Sequence, residues 1–178
     1  MFDKHREEHF RRLLRSGPIL EIKLFQVNDY FFEFPEKGQW VIDGGVELVF
    51  AKGICCMGWN SREEIMAMED YGFNQMFDST EYMQLENDNI LKLKSYLIQE
   101  ITNIEFITRE FDFIKDYTMT KIVENRVVGM NLEFENGSKL QIAFINYQLE
   151  ESDAPKDYYY DVTGELLVSI KGDVEIDN

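Results

Sequence analysis

The sequence predicts an α+β fold, mainly β: an N-terminal helix, then two pseudo-repeated antiparallel β-hairpin halves forming one domain. Three observations carry this. The run Gly45-Val46-Glu47-Leu48-Val49-Phe50-Ala51-Lys52-Gly53 returns, altered, as Gly129-Met130-Asn131-Leu132-Glu133-Phe134-Glu135-Asn136-Gly137, with glycine, leucine, phenylalanine and glycine in register. Apolar and polar residues alternate over several short stretches, the period of a half-buried strand. Gly, Pro and Asn punctuate those stretches as turns. With 178 residues, 44% of them apolar and 14% aromatic, the chain can bury a sizeable core.

Residues 2–15 read as an amphipathic helix, because Phe10, Leu13 and Leu14 share a face and Ser16-Gly17-Pro18 ends it. Ile19–Phe25 alternates as a strand with Leu20, Ile22 and Leu24 on one side. Tyr30–Phe34 is a second apolar run, closed by a Pro35-Glu36-Lys37-Gly38 turn, and Trp40-Val41-Ile42 leads into the first hairpin. That hairpin has Val46, Leu48 and Phe50 on its inner face. A turn at Lys52-Gly53 pairs Phe50 with Cys55, Leu48 with Met57 and Val46 with Trp59. In the second copy a three-residue loop, Asn136-Gly137-Ser138, pairs Phe134 with Leu140, Leu132 with Ile142 and Met130 with Phe144. Upstream, Ile19–Phe34 has an alternating counterpart in Ile101–Phe113, so halves of roughly 18–60 and 99–147 are expected to stand side by side.

The connector, 61–98, opens with Ser61-Arg62-Glu63-Glu64, a capping-box pattern that predicts a short helix through Ile65 and Met68. Residues 71–89 hold aromatics and methionines without a sustained period, and 90–101 suit either helix or strand. After the polar loop Glu150-Glu151-Ser152-Asp153-Ala154-Pro155 come Tyr158-Tyr159-Tyr160 and a final strand at Leu166–Ile170. The acidic tail Gly172–Asn178 is expected to fray.

The net charge is −16, from 34 acidic and 18 basic side chains. Such a field repels nucleic acid and anionic membranes and steers a basic partner inward. No apolar run approaches the length of a membrane helix, and the charged N-terminus is not a secretory signal, so a soluble cytoplasmic protein is expected. Cys55 and Cys56 are adjacent and point to opposite faces of a strand, which predicts buried, reduced thiols.

His5-Arg6-Glu7-Glu8-His9 matches H-x-x-E-H, which on a helix places His5 and His9 together with Glu8 as a base. It lies at the extreme N-terminus and the chain has no third histidine, so a charged helix surface is the simpler account. Neither a metal nor another cofactor is expected. Apolar rings set among acids are the better candidates for binding. These are Asp157, Tyr158, Tyr159, Tyr160 and Asp161, together with Met76, Phe77 and Tyr82 of the Met- and aromatic-rich stretch. The competing account makes them covers for the core beneath loops.

The run Trp40–Phe50, closing on Gly58-Trp59-Asn60, resembles segments of small acidic bacterial immunity-type proteins of polymorphic toxin systems. So does Leu132-Glu133-Phe134-Glu135-Asn136-Gly137. The resemblance implies a non-catalytic module that neutralises a toxin by binding it. An acidic, tyrosine-bearing face would then mask a basic toxin. A second reading is a small-molecule-binding β domain whose halves enclose an apolar pocket. A third is a metal-dependent hydrolase using His5 and His9.

Overall fold

Asp3 caps the N-terminal helix, α1 (Lys4–Leu14), by accepting a 2.9 Å hydrogen bond from the Arg6 backbone N–H. In this computed structural model, residues 2–28, 31–115, 120–150, 154–170 and 174–177 are described. Tyr30, Glu151-Ser152-Asp153, Gly172 and Asn178 lie outside them. In chain order the strands are β1 (Glu21–Gln26), β2 (Phe32–Phe34), β3 (Gln39–Ile42), β4 (Gly44–Phe50), β5 (Gly53–Asn60) and β6 (Ile65–Glu69). They continue as β7 (Met83–Gln84), β8 (Ile101–Lys115), β9 (Thr120–Phe134), β10 (Lys139–Leu149), β11 (Pro155–Tyr160) and β12 (Glu165–Ser169). A single helical turn, α2 (Phe73–Met76), and a 3₁₀ helix (Ile90–Tyr96) complete the described elements.

The predicted class holds: the protein is mainly β, its sheets are antiparallel, and a helix precedes them. One sheet runs β6-β5-β4-β1-β7. The other runs β2-β3-β12-β10-β9-β8, with β11 paired to β10. One apolar core joins their inner faces, with Val46, Leu48 and Met57 from the first sheet and Trp40, Leu132 and Phe144 from the second. Helix α1 inserts Phe10, Leu13 and Leu14 into this core. Arg6 ties it to β6, donating to the Met68 carbonyl and Glu69, and Arg11 ties it to β8 through the Ile104 carbonyl. The 3₁₀ helix closes the core near β1. Its Tyr96 packs 4.8 Å from Phe134, with its hydroxyl 2.8 Å from the carbonyls of Lys139 and Ile170.

The halves 18–60 and 99–147 do not correspond to the sheets. β2 and β3 precede the first hairpin in sequence yet pair, through β12, with the sheet of the second hairpin. Both copies form antiparallel hairpins, but their glycines do different work. Gly45 lies opposite Gly58, and a Cβ on it would fall 2.5 Å from the Phe73 ring. Gly129 lies opposite Ala143, beside the irregularity where two residues of β9 meet one step of β8 between Ile107 and Thr108. Such a bulge bends the strand. The closing glycines differ as well. Gly53 pairs with Phe50 within the ladder, whereas Gly137 sits inside its turn at φ +79°.

Both hairpin registers move by two residues from the expected ones while keeping the same inner faces. Leu48 faces Cys55 and Val46 faces Met57, because the turn is Ala51-Lys52. Leu132 faces Leu140 and Met130 faces Ile142. The second loop has three residues, as expected, but they are Glu135-Asn136-Gly137. Gly137 takes the left-handed position such a loop requires, and Phe134 exchanges hydrogen bonds with Gly137 and Ser138. Lys139 therefore meets Glu133, at 3.5 Å.

Three further expectations are corrected. Residues 61–64 form a turn, not a helix start, and Ile65–Met68 is strand. Buried Asn60 outcompetes Ser61 as the local acceptor, taking the backbone N–H of Arg62 at 3.0 Å, and Glu64 has φ +54°, which no helix continues through. Leu20, expected on one side with Ile22 and Leu24, is exposed while Leu24 is buried, since β1 begins only at Glu21. The described part of the tail is docked: Val174 exchanges hydrogen bonds with the Gln141 side chain, and Asp177 bridges Tyr159 in parallel.

Candidate functional site

β11 carries the predicted tyrosine cluster to the outer face of the second sheet. It occupies the edge of β10 that β9 leaves after Gly129–Ala143, with Tyr160 opposite Ile145 and Tyr159 opposite Asn146. Alternation along the strand then divides the cluster. Tyr158 and Tyr160 pack on the outer-face apolar group of Val41, Ala143, Ile145 and Leu167, while Tyr159 turns the other way and is 39% exposed. Burial pushes the Tyr158 and Tyr160 hydroxyls above their ordinary pKa. Asp157 is exposed at φ +49°, a backbone region aspartate tolerates. Asp161 is committed locally, accepting from the Thr163 backbone at 2.8 Å and its hydroxyl at 2.7 Å.

Beside Tyr160 lies a groove of about 340 Å³ over β8, β9 and β10. Tyr160, Val174, Ile176, Glu105, Glu133 and Lys139 are among the residues that line it. Asn131 donates to Glu105 at 2.9 Å. The Arg109 guanidinium rests 5.0 Å from the centre of the Tyr160 ring, a cation–π contact. Glu105 and Glu133 were not among the sequence candidates. Their signal was present, since strand alternation that turns Leu132 and Phe134 inward turns Glu133 outward.

The candidates Met76, Phe77 and Tyr82 are a cover, not a free surface. Met76 is 1% exposed, and Phe77 and Tyr82 are half-buried over Phe25, Cys56, Ala67 and Phe73 on the outer face of the first sheet. Phe73 stacks on Phe25 at 5.0 Å and Phe77 at 5.6 Å, with Tyr82 edge-on to all three rings. Its backbone N–H donates to buried Glu47 at 2.6 Å. The stretch has no helical or strand period because its apolar residues fold over one ring.

His9 lies 2.9 Å from Asp70 on the surface of α1, and its neighbours Arg6 and Glu69 are joined to each other at 2.6 Å. Among the described residues no group of three or more His, Cys, Asp or Glu side chains is placed to hold a metal. Cys55 and Cys56 are free and buried. Burial, with Asp70 nearby, pushes the Cys55 thiol up to about 12, and burial also raises that of Cys56. Both are neutral thiols at ordinary pH. No helix among the described residues is long and apolar enough to cross a membrane.

An opening with an apolar wall lies elsewhere, a cleft of about 440 Å³ between β1 and the 3₁₀ helix, not between the two halves. Nothing in the sequence marks it, since it arises from a gap in strand pairing. No family model, curated protein or solved structure matches the chain.

Proposed function

We propose that this chain is a non-catalytic protein-binding module of the immunity or inhibitor kind, which masks a basic protein toxin with the acidic outer face of its second sheet. The observation that carries the reading is the groove beside Tyr160. Arg109 already rests on that ring, and Glu105 and Glu133 line the same groove, Glu133 beside Lys139 at 3.5 Å. A lysine or arginine from a partner would find the same ring chemistry with Glu105 in the same groove and Glu133 able to exchange Lys139 for it. Tyr159 and Asp157 are also exposed on β11, but Tyr159 turns to the opposite side of the strand from Tyr160 and lies outside this groove. The −16 charge supplies long-range steering of a basic partner and works against nucleic acid or anionic membranes as partners. Two buried, reduced thiols fit a cytoplasmic setting.

The test is gel filtration of the purified chain with basic toxins encoded at the same locus, at low and at physiological salt. A complex at low salt that weakens with added salt, and weakens again in the double variant Glu105→Lys, Glu133→Lys, supports the reading. Absence of a complex at low salt, where steering by charge is strongest, overturns it.

A further inference from the structure

The outer edge of β1 is only partly paired. At one end β7 covers Phe25 and Gln26, and the Leu85 N–H donates to the Leu24 carbonyl at 2.9 Å. At the other, Ile19 bridges Leu97 in parallel and accepts from the Ile98 N–H at 2.9 Å. Between these points the chain arches away from the strand. In an antiparallel sheet, N–H and C=O of alternate residues point to the same edge. Since Leu24 faces β7, Ile22 turns its N–H and C=O to the same side, into the arch. Among the described residues no hydrogen bond reaches them there.

The arch encloses the cleft of about 440 Å³. Leu85, Ile90, Leu93 and Leu97 form its apolar wall, and its charged lining is three carboxylates, Glu21, Glu86 and Asp88, against one cation, Lys94. Its frame is built rather than slack. The Asn87 side chain accepts from the backbone N–H of Asn89 at 3.0 Å and Ile90 at 2.9 Å and donates to Glu33 at 3.1 Å. Leu93 and Tyr96 are buried in the main core. Leu91, on the lining, is 46% exposed and gives the mouth an apolar lip.

We propose that this cleft binds a compact organic cation with an apolar body and an amide, the chemistry of a short peptide amide with a free amino group. The apolar body lies on the leucine wall. The amide pairs with the open N–H and C=O of Ile22, and the ammonium sits at Glu86 and Asp88. Pairing at both ends of the gap excludes a strand running through, which selects a compact ligand over an added strand. The volume is that of ordinary small-ligand sites, about 300–1,000 Å³. The cleft belongs to the first sheet and the groove beside Tyr160 to the second, so either assignment can fail without the other.

The experiment is an NMR titration of the full chain, labelled with ¹⁵N, using leucyl-leucinamide as the cationic probe and N-acetyl-leucyl-leucine as its anionic counterpart. The cationic probe is expected to shift the Ile22 amide saturably, with Kd of about 1 mM or tighter. The double variant Glu86→Gln, Asp88→Asn and the exposed variant Leu91→Arg are each expected to weaken it about fivefold, the scale of an exposed ion pair. The anionic probe should shift Ile22 less at every concentration. Overturning results are an unmoved Ile22 amide at saturating probe, equal response to both probes, or an Ile22 shift that follows protein concentration alone. The last would assign the cleft to a second copy of the chain.

Discussion

The two outer faces of the sheets solve the same problem differently. On the first, the chain returns over its own sheet. Gly45 and Gly58 leave bare backbone, Phe73 lies on it, and Phe77 and Tyr82 seal the rim. On the second, the cover is partial. β11 and the tail place Tyr158, Tyr160, Val174 and Ile176 over Val41, Ala143, Ile145 and Leu167, and a groove stays open beside them. The two stretches have similar composition, aromatics set among acids, yet one is spent on stability and the other retains a surface. Composition alone does not separate a cover from a contact. A vacancy in the backbone beneath, such as the one Gly45 and Gly58 provide, does.

Substitutions can break that contrast, beginning with the sealed face. Phe73→Ala empties the site that both glycines shape and should cost about 3–5 kcal/mol in urea unfolding. Gly45→Ala attacks the same contact from the sheet side. Its methyl would fall 2.5 Å from the Phe73 ring, and about 1–3 kcal/mol is expected by the same measurement. A loss near zero for either would mean that the first face is not sealed by this ring.

On the second face a carboxylate offers a finer test. Glu165 accepts from the Tyr147 hydroxyl at 2.8 Å, and burial holds its carboxyl above the ordinary value of 4.5. A carboxyl raised in the folded state favours unfolding while ionised, so its penalty is present at neutral pH. The penalty disappears as pH falls through the folded value toward 4.5. Asp43, raised by burial, acts in the same direction. Glu165→Gln keeps an acceptor for Tyr147 and should be more stable than the parent at pH 7, with the difference vanishing near pH 4.5 in thermal melts across that range. Smallest of all, Tyr159→Ala should change stability by no more than about 0.5 kcal/mol, as expected of an exposed side chain. A large loss would make Tyr159 a structural residue rather than an exposed side chain.

Much of the fold was legible because it rests on local alternation. The inner faces of both hairpins, the helix through Phe10 and Leu14, and the Pro35–Gly38 turn follow from sequence period and turn chemistry. Register was not legible to within two residues, because a shift by two leaves every inward residue inward, and only the turn backbone discriminates. The capping-box pattern at Ser61 misled because Asn60, one residue earlier, could capture the same N–H groups. Sheet membership was hidden too. Nothing between Ile42 and Gly44 announces that β3 and β4 belong to different layers, since both layers want the same apolar alternation. The candidate surface was half legible: Tyr158–Tyr160 were visible as a cluster, but Glu105 and Glu133 come to share a groove with Tyr160 only through the pairing of β8, β9 and β10.

Cys55 and Cys56 sit side by side in β5 and belong to different cores, Cys55 to the one between the sheets and Cys56 to the one under Phe73. Two neighbouring peptide units thus carry independent clocks for two layers of the molecule. In single-cysteine variants, the rate at which a thiol reagent reacts with each would time the opening of its own layer. If the aromatic cover lifts while the main core stays closed, Cys56 would be labelled long before Cys55, and the protein would report from one β-strand that its two layers open separately.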